Sequence, residues 1–316
     1  MERFDPASVL VGCDLLDGTG GVATVRRDVV AVDGPDSGVY LQGQLSQEVV
    51  AIAGPSVWSF LLAPSGKVDA WLRVHRLDAD HHLLEVESGH GDAVVARLRR
   101  FLLRTDATIA DPQQWTSLAC RWDPSTVRVG VGADHALVSP VVAPGDAGID
   151  VLLAPDENAA IDLPAVPEAA FDRHRIARGV SRLGAELGPD TIPAEAGQWV
   201  IDASVSFTKG CYTGQELVAR VDSRGAQVPR PIRLLRLDDD PTVELTVECP
   251  VEPGASVRVD GERRGTVTSF APRLGAGRPA LALAPLARAV AVGDRVEVET
   301  PRGPVSATVL EPGTVR

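Results

Sequence analysis

The residues whose types and spacing could do chemistry are concentrated in the segment 199–221, with Cys211 near its centre. We predict that a strand running through Phe207 meets a tight loop, and that a helix begins at about Gly214. The first turn of a helix carries unpaired N–H groups and a partial positive charge, and Lys209 adds a full positive charge nearby. Both effects favour the thiolate of Cys211 over its thiol, and the thiolate is the form that attacks electrophiles and binds metals.

Glycines flank the cysteine on both sides, at Gly210 and Gly214. Glycine is used where the backbone needs a positive φ or where a ligand must approach the main chain closely. This pattern favours an accessible and reactive Cys211. The alternative is that Cys211 is a small buried hydrophobic residue, which is how most free cysteines behave. A packing role is predicted for the other three cysteines, Cys13, Cys120 and Cys249.

Two residues at the start of the predicted helix have a structural explanation of their own. Thr213 and Glu216 have the Thr-x-x-Glu spacing of a capping box, and the apolar Leu217 and Val218 follow them. A capping box pairs two otherwise unsatisfied N–H groups, so the role of both residues can be structural only. Contact with a ligand or a partner is the alternative.

The stretch 206–220, SFTKGCYTGQELVAR, resembles the signature of the YgfZ family, whose pattern is Lys-Gly-Cys-Tyr-x-Gly-Gln-Glu. The residues that match are Lys209, Gly210, Cys211, Tyr212, Gly214, Gln215 and Glu216. A pattern of this length with one free position is highly specific. The resemblance covers the chain from about 20 to 310 and is also carried by YLQGQL at 40–45, Gly66-Lys67, Leu72-Arg73, SRGA at 223–226 and RGTV at 264–267.

This resemblance implies both a fold and a role. The fold is that of the related aminomethyltransferase of the glycine cleavage system, with three small units around a central channel that takes tetrahydrofolate. The role is assembly or repair of iron–sulfur clusters in client enzymes, including a tRNA-modifying one, with an essential signature cysteine. Cys211 and Lys209 are then the reacting residues, Tyr212 and Gln215 contact a ligand or partner, and the partners are folate and iron–sulfur client or assembly proteins. Whether such a protein is itself an enzyme is left open.

The sequence departs from the relatives' pattern on one helix. In the proteins that this chain resembles, a glutamate of one helix binds the pterin. In this sequence Ala177 occupies the corresponding position, in the stretch 175–179. A methyl group cannot accept an N–H bond, and each unmade bond would cost on the order of 1–3 kcal/mol. Tetrahydrofolate is therefore a cofactor that the resemblance implies and Ala177 puts in question, unless Glu186 or Glu195 supplies the acceptor.

A second departure bears on the alternative function, a folate-dependent aminomethyltransferase or one-carbon transferase. Aminomethyltransferases tend to carry paired acids after the first hairpin, whereas Asp69 is followed by Ala70. A single acid argues against full aminomethyl transfer, and Asp69 could also be a strand residue that faces solvent. The candidates for contact with the cofactor are Asp69, Arg175 and Arg224.

The elements that must position these residues are predicted from the spacing of apolar residues. Strands are predicted at 22–32, 57–63, 68–77, 82–87, 127–131 and 149–153, and helices at 91–104, 134–138 and 167–178. From about residue 231 short strands, one of them at 242–248, recur between Pro and Gly residues, which is typical of a small antiparallel barrel. With the resemblance, the predicted fold class is α+β, a glycine cleavage T-protein-like fold of several units. Its predicted domains are 1–229, two intertwined α+β units that bind folate, and 230–316, a C-terminal antiparallel β-barrel.

Composition excludes several classes of function. The 316 residues are 44% hydrophobic, enough for a sizeable core, and the net charge of −12 disfavours binding to nucleic acid or to anionic membranes. No apolar stretch approaches the length of a membrane span, and the first ten residues lack the features of a signal peptide. The four cysteines are widely spaced without a CxxC pair, so no metal site or disulfide framework is predicted. Reduced thiols and a cytoplasmic location are expected.

Overall fold

The structure is a computed structural model that describes residues 5–52, 54–123, 131–132, 136–223, 225, 227–238, 251–275 and 277–313. The helices are α1 Pro6–Asp17, α2 Ser37–Gln44, α3 Gly91–Arg99, α4 Glu168–Arg178, α5 Gln198–Ser204 and α6 Gln215–Ser223. A 3₁₀ turn lies at Pro193–Ala196. The strands before residue 230 are β1 Gly21–Asp33, β2 Ser56–Leu62, β3 Val68–Arg76, β4 His81–Glu87, β5 Thr108–Ile109, β6 Gln113–Arg121, β7 Val131–Gly132, β8 Leu137–Pro140, β9 Gly148–Leu153 and β10 Ala160–Ile161.

The larger sheet is antiparallel, with the order β2-β3-β4-β1-β6-β9-β8. Its centre is the long strand β1, which pairs with β4 on one side and with β6 on the other. Side chains alternate between the two faces of a strand, so residues two apart share a face. Val30 and Val32 of β1 therefore share the apolar core with Leu72 and Leu84 of neighbouring strands.

The opposite face of the same sheet carries charged side chains that are buried or nearly so. They occupy the alternate positions of five neighbouring strands: Arg27, Arg73, Glu85, Glu87, Arg121 and Asp150. We call them the charged face. Burial of so many charges is unfavourable unless each is paired, and they are paired with one another, as described below.

The C-terminal region forms a curled antiparallel sheet of short strands around its own apolar core. These strands are β11 Ile232–Leu237, β12 Ser256–Val259, β13 Glu262–Thr266, β14 Ser269–Ala271, β15 Leu281–Pro285, β16 Arg295–Val298 and β17 Val305–Leu310. β13 pairs with β12, β14 pairs with β15, and a bridge joins Gly265 to Leu286. Because β13 and β14 follow each other almost directly, the sheet curls round towards closure, which is the predicted barrel.

Two predicted elements are wrong, and both are short. A strand was predicted to run through Phe207, but the residues before it, Gln198–Ser204, are the helix α5, which buries Val200, Ile201 and Ser204 on one helical face. Residues near 134–138 were predicted as a helix, but Leu137–Pro140 is a strand held by pairing with β9. The predicted strand at 242–248 and most of that at 127–131 lie outside the described residues.

No helix in the described part of the chain is both long and apolar enough to cross a membrane. The cytoplasmic location stays a prediction, as does the domain boundary near residue 229.

Candidate functional site

The loop that carries Cys211 is fastened to a segment far away in sequence. We call residues 205–214 the cysteine loop and residues 42–48 the clamp segment. Two main-chain hydrogen bonds join them: the Ser206 N–H donates to the Ser46 carbonyl at 3.0 Å, and the Thr213 N–H donates to the Gly43 carbonyl at 3.1 Å. The YLQGQL stretch and the signature around Cys211 are therefore parts of one structure.

Lys209 completes this attachment. Its ammonium group donates to three main-chain carbonyls of the clamp segment, those of Gln42, Leu45 and Gln47, each at 2.8 Å. An ammonium has three protons, so none remains for Cys211. Burial lowers the pKa of Lys209 to about 8, against the opposing effect of the Glu48 carboxylate. The sequence predicted that Lys209 would hold the Cys211 thiolate, whereas its hydrogen bonds hold the loop.

Two glycines let the hairpin turn between β2 and β3 pack on the start of α6. Gly66 has φ +82° and Gly214 has φ +83°, both in the left-handed region that favours glycine. A Cβ on Gly214 would lie 2.7 Å from the Ala63 carbonyl oxygen, and a Cβ on Gly66 would lie 2.4 Å from the Leu217 Cβ. Neither contact is possible, so both positions require glycine for this packing.

Tyr212 and Gln215 shape the same loop from within. Tyr212 is buried in the main apolar core, and burial raises its pKa to about 12. The Tyr212 N–H donates to the Gln215 side-chain oxygen at 3.1 Å. The predicted capping box does not form, because neither of its bonds between Thr213 and Glu216 is present and Gln215 caps the turn instead.

Cys211 itself is exposed and makes no disulfide. A Cβ built on the preceding residue, Gly210, would meet no atom within 4 Å, so the space beside Gly210 is also open. Cys13 and Cys120 are buried, and burial raises the pKa of both thiols, that of Cys120 to about 11. Cys249 lies outside the described residues. Among the described cysteines, Cys211 alone is exposed.

The predicted cofactor residues are not brought together. Asp69 accepts a hydrogen bond from Arg97 at 3.0 Å and does not line the central cavity described below. Arg175 does line it, but its guanidinium already donates to the side chains of Asp172, Glu186 and Ser269. Arg224 lies outside the described residues.

Glu186 and Glu195, the possible replacements for the missing pterin acceptor, already accept hydrogen bonds from the protein. Ala177 is not among the residues that line the central cavity, so a glutamate at 177 would not restore an acceptor there. Glu186 is fully buried and accepts from Arg175, Thr268 and Ser269. Glu195 does not line this cavity either, and it accepts the Ile192 N–H.

A central cavity of about 120 Å³ lies on the charged face of the larger sheet. Trp58 and Trp71 are stacked in its wall with ring centroids 4.3 Å apart, and Trp199 meets Trp71 edge-on. Such a wall suits a flat ring. Arg73 lies over the Trp58 ring at 4.5 Å, which adds a cation–π contact.

Ion pairs connect the charged face. Arg27 contacts Glu85 at 2.9 Å, Arg73 contacts Asp150 at 2.6 Å, and Arg121 contacts Asp150 at 2.9 Å. Burial acts to raise the pKa of Glu85, but Arg73, Arg27 and His75 hold it well below its usual range. Glu87 pairs with Arg27 through one oxygen, and the other has no partner among the described residues.

Sequence reasoning missed this charged face. The available signal was a charge inside an otherwise apolar strand, such as Arg27 in 22–32, Arg73 in 68–77 and Glu85 in 82–87. In each strand the charge lies on the face opposite to the apolar core residues. Only the pairing of the strands shows that these charges meet.

Comparison with known proteins gives relatives of low identity and one clear fold. No model of a protein family matches the chain. An uncharacterized protein of Haemophilus influenzae is 24% identical over 257 residues, which cover 78% of this chain and 83% of the relative. An iron-sulfur cluster assembly factor IBA57 homolog, mitochondrial, of Pyricularia oryzae is 26% identical over 219 residues, covering 65% of this chain and 54% of the relative. The tRNA-modifying protein YgfZ of Serratia proteamaculans is 29% identical over 228 residues, which cover 63% of this chain and 65% of the relative.

The fold is shared with a solved structure, the glycine cleavage system aminomethyltransferase T of Bartonella henselae. The TM-score is 0.72 at 18% identity, over 97% of this chain and 89% of that one. This confirms the predicted α+β fold. The match spans only about half the length of the Pyricularia relative, 54%. The chain is therefore similar to proteins named YgfZ and IBA57 homolog, and it has the glycine cleavage T-protein-like fold.

Proposed function

We propose that this protein supports the assembly or repair of iron–sulfur clusters in client proteins, and that Cys211 is the residue through which it acts. One observation carries the proposal: an exposed thiol stands on a loop whose neighbouring side chains are engaged in holding that loop in place. The name of one relative, an iron-sulfur cluster assembly factor, supports the same field of chemistry.

The cluster would be a substrate in transit. Iron–sulfur clusters are commonly held by four thiolates, and Cys211 supplies one. In the described part of the chain no group of three or more His, Cys, Asp and Glu side chains is placed to hold a metal. The remaining ligands would therefore come from the client or assembly protein, and binding of that partner to the cysteine loop is part of the proposed function.

The surroundings of Cys211 suit contact with a partner protein. Phe207, in the same loop, is 52% exposed, which is unusual for a side chain of its size. The space beside Gly210, the residue before Cys211, is open. Because the loop is fixed at Ser206, Lys209 and Thr213, a partner would meet a preformed surface and would lose little free energy in ordering it.

Tetrahydrofolate fits the central cavity in part. The stacked Trp58 and Trp71 would hold a flat pterin ring, and the unpaired oxygen of Glu87 would accept one of its N–H bonds. The cavity of about 120 Å³ is small beside the usual few hundred Å³ of a site for a whole ligand of this size. The chemistry that tetrahydrofolate supplies when bound is the carriage of one-carbon units. We propose folate as a ligand of this cavity, bound through its ring.

The test of the main proposal is the Cys211→Ser variant in cells that lack their own copy of the protein. We expect the activity of cluster-dependent enzymes to fall to the level of cells without the protein, while the melting temperature of the purified variant is unchanged. Thr208→Ala is the matched control, since Thr208 is an exposed neighbour in the same loop. Full activity of Cys211→Ser would refute the proposed role of the thiol.

The shared fold keeps the aminomethyltransferase alternative open. Asp69, the acid at the position expected for such a transferase, pairs with Arg97 and does not line the cavity. The measurement that separates the two functions is release of ammonia from an aminomethylated lipoyl carrier in the presence of tetrahydrofolate. Steady turnover would favour the transferase.

A further inference from the structure

A second, larger cavity lies where the C-terminal barrel meets the preceding α+β region. Its volume is about 540 Å³, within the range usual for small-molecule sites. Its lining comes from both regions: the end of α4 at Arg178, the 3₁₀ turn at Glu195, strand β11 at Arg233, and the chain after β15 at Arg288. Trp199 belongs to the linings of both this cavity and the central one. We call the larger one the junction cavity.

Two of its arginines have no side-chain partner among the described residues. The Nε of Arg233 is buried and makes no hydrogen bond. Neither Arg233 nor Arg288 forms a side-chain hydrogen bond or ion pair with any described residue, whereas Arg178 donates to the Gly145 carbonyl. A buried guanidinium nitrogen without an acceptor is rare and unfavourable, and it points to an acceptor that the protein itself does not supply.

The acidic residues of the junction cavity do not fill this role. Glu195 accepts the Ile192 N–H at 3.2 Å, and its other oxygen lies 3.6 Å from Arg230. Burial raises the pKa of Glu195. Glu311 also lines the cavity and already has an interaction partner. In a chain of net charge −12, this cavity is therefore a local site of unbalanced positive charge.

We propose that the junction cavity binds a small molecule with carboxylate or phosphate groups, and that Arg233 and Arg288 pair with its anionic end. The planar guanidinium fork matches both anions with two parallel hydrogen bonds, which makes arginine suited to recognising either. Trp199 supplies a flat apolar wall for the rest of the molecule. This proposal does not depend on the role of Cys211, because its residues lie outside the cysteine loop and its test needs no client protein.

The test is calorimetric titration of the full chain at low ionic strength with two probes, inorganic phosphate and glutarate. We expect at least one probe to bind, and Arg233→Gln and Arg288→Gln each to weaken its binding about tenfold or more, the effect of losing a charged hydrogen bond. The preferred probe distinguishes a phosphate-bearing from a carboxylate-bearing natural ligand. Arg236→Gln is the matched control, because Arg236 is an exposed residue of the same strand that does not line the cavity.

Two results would overturn the proposal. One is that neither probe binds at about 10 mM, weaker than any useful affinity for such an anion. The other is that Arg233→Gln binds as tightly as the wild type. Arg233→Gln removes an unpaired charge and is expected to fold. Should it not fold, the exposed Arg288→Gln decides the question alone, since an unchanged affinity there would equally contradict the proposed pairing.

Discussion

At the scale of single residues, Lys209 has the most unexpected role. Its charge was predicted to act on a cysteine two positions away, but it is bound to carbonyls about 160 positions earlier in the sequence. Local spacing can indicate that a lysine lies near a thiol, but it cannot show which acceptors the fold brings to its ammonium. The exposure of Cys211 agrees with its glycine neighbours, and its reactivity stays a prediction.

The pKa of Lys209 can be measured directly, because Lys67 is the only other lysine in the chain. In a Lys67→Arg variant, the Cε resonance of the remaining lysine should titrate with a midpoint at about 8. The unfolded chain keeps a lysine pKa of about 10.4, so between these two values the unfolded state binds more protons. The contribution of Lys209 to the free energy of unfolding should therefore rise with pH across that window. A midpoint near 10 would show that the three carbonyls outweigh the effect of burial.

At the scale of elements, long strands were predictable and short segments were not. The alternation in 22–32, 68–77 and 82–87 predicts β1, β3 and β4 within a residue at most positions. The apolar run at Trp199-Val200-Ile201 is too short to separate strand from helix by period. The clamp segment and the cysteine loop meet through main-chain bonds, which leave no mark in a side-chain pattern. Their contact could be inferred only because both carry the family resemblance.

The contact between the hairpin turn and α6 predicts different results for the two glycines beside Cys211. Gly214→Ala must relieve a positive φ and two contacts below 3 Å, so we expect a loss of about 1–3 kcal/mol in the free energy of unfolding. Gly210→Ala meets open space and should change it by about 0.5 kcal/mol or less. Urea denaturation of both variants measures the difference. Equal losses would mean that the turn does not rest on Gly214 as the structure shows.

At the scale of the whole molecule, helix α4 joins the barrel to the α+β region through buried polar contacts. Arg173 donates to the carbonyls of Pro272 and Pro279, and Arg175 donates to Ser269. Ile232 and Leu283 of the barrel belong to the main apolar core rather than to the barrel's own. The order of the strands made the barrel predictable, whereas this shared core was not, because it depends on how the two regions pack.

This shared core predicts that the chain unfolds as one unit and that Glu186 is central to it. Glu186 is fully buried between Arg175 and the two barrel residues Thr268 and Ser269. Removing one partner of a buried ion pair leaves a charge uncompensated, so Glu186→Ala should lower the free energy of unfolding by about 3–5 kcal/mol. Glu216→Ala, at an exposed glutamate of the signature, should change it by about 0.5 kcal/mol or less.

Urea denaturation measures these losses, and the positions of the tryptophans allow the two regions to be followed separately. All five precede residue 200, so tryptophan fluorescence reports the α+β region alone, whereas circular dichroism reports both regions. In the wild type the two signals should change at the same urea concentration, because a common core couples the two regions. An early change in circular dichroism without a change in fluorescence would show that the barrel unfolds by itself. In that case the contacts of Glu186 would join two domains that unfold independently, and the predicted boundary near residue 229 would separate them.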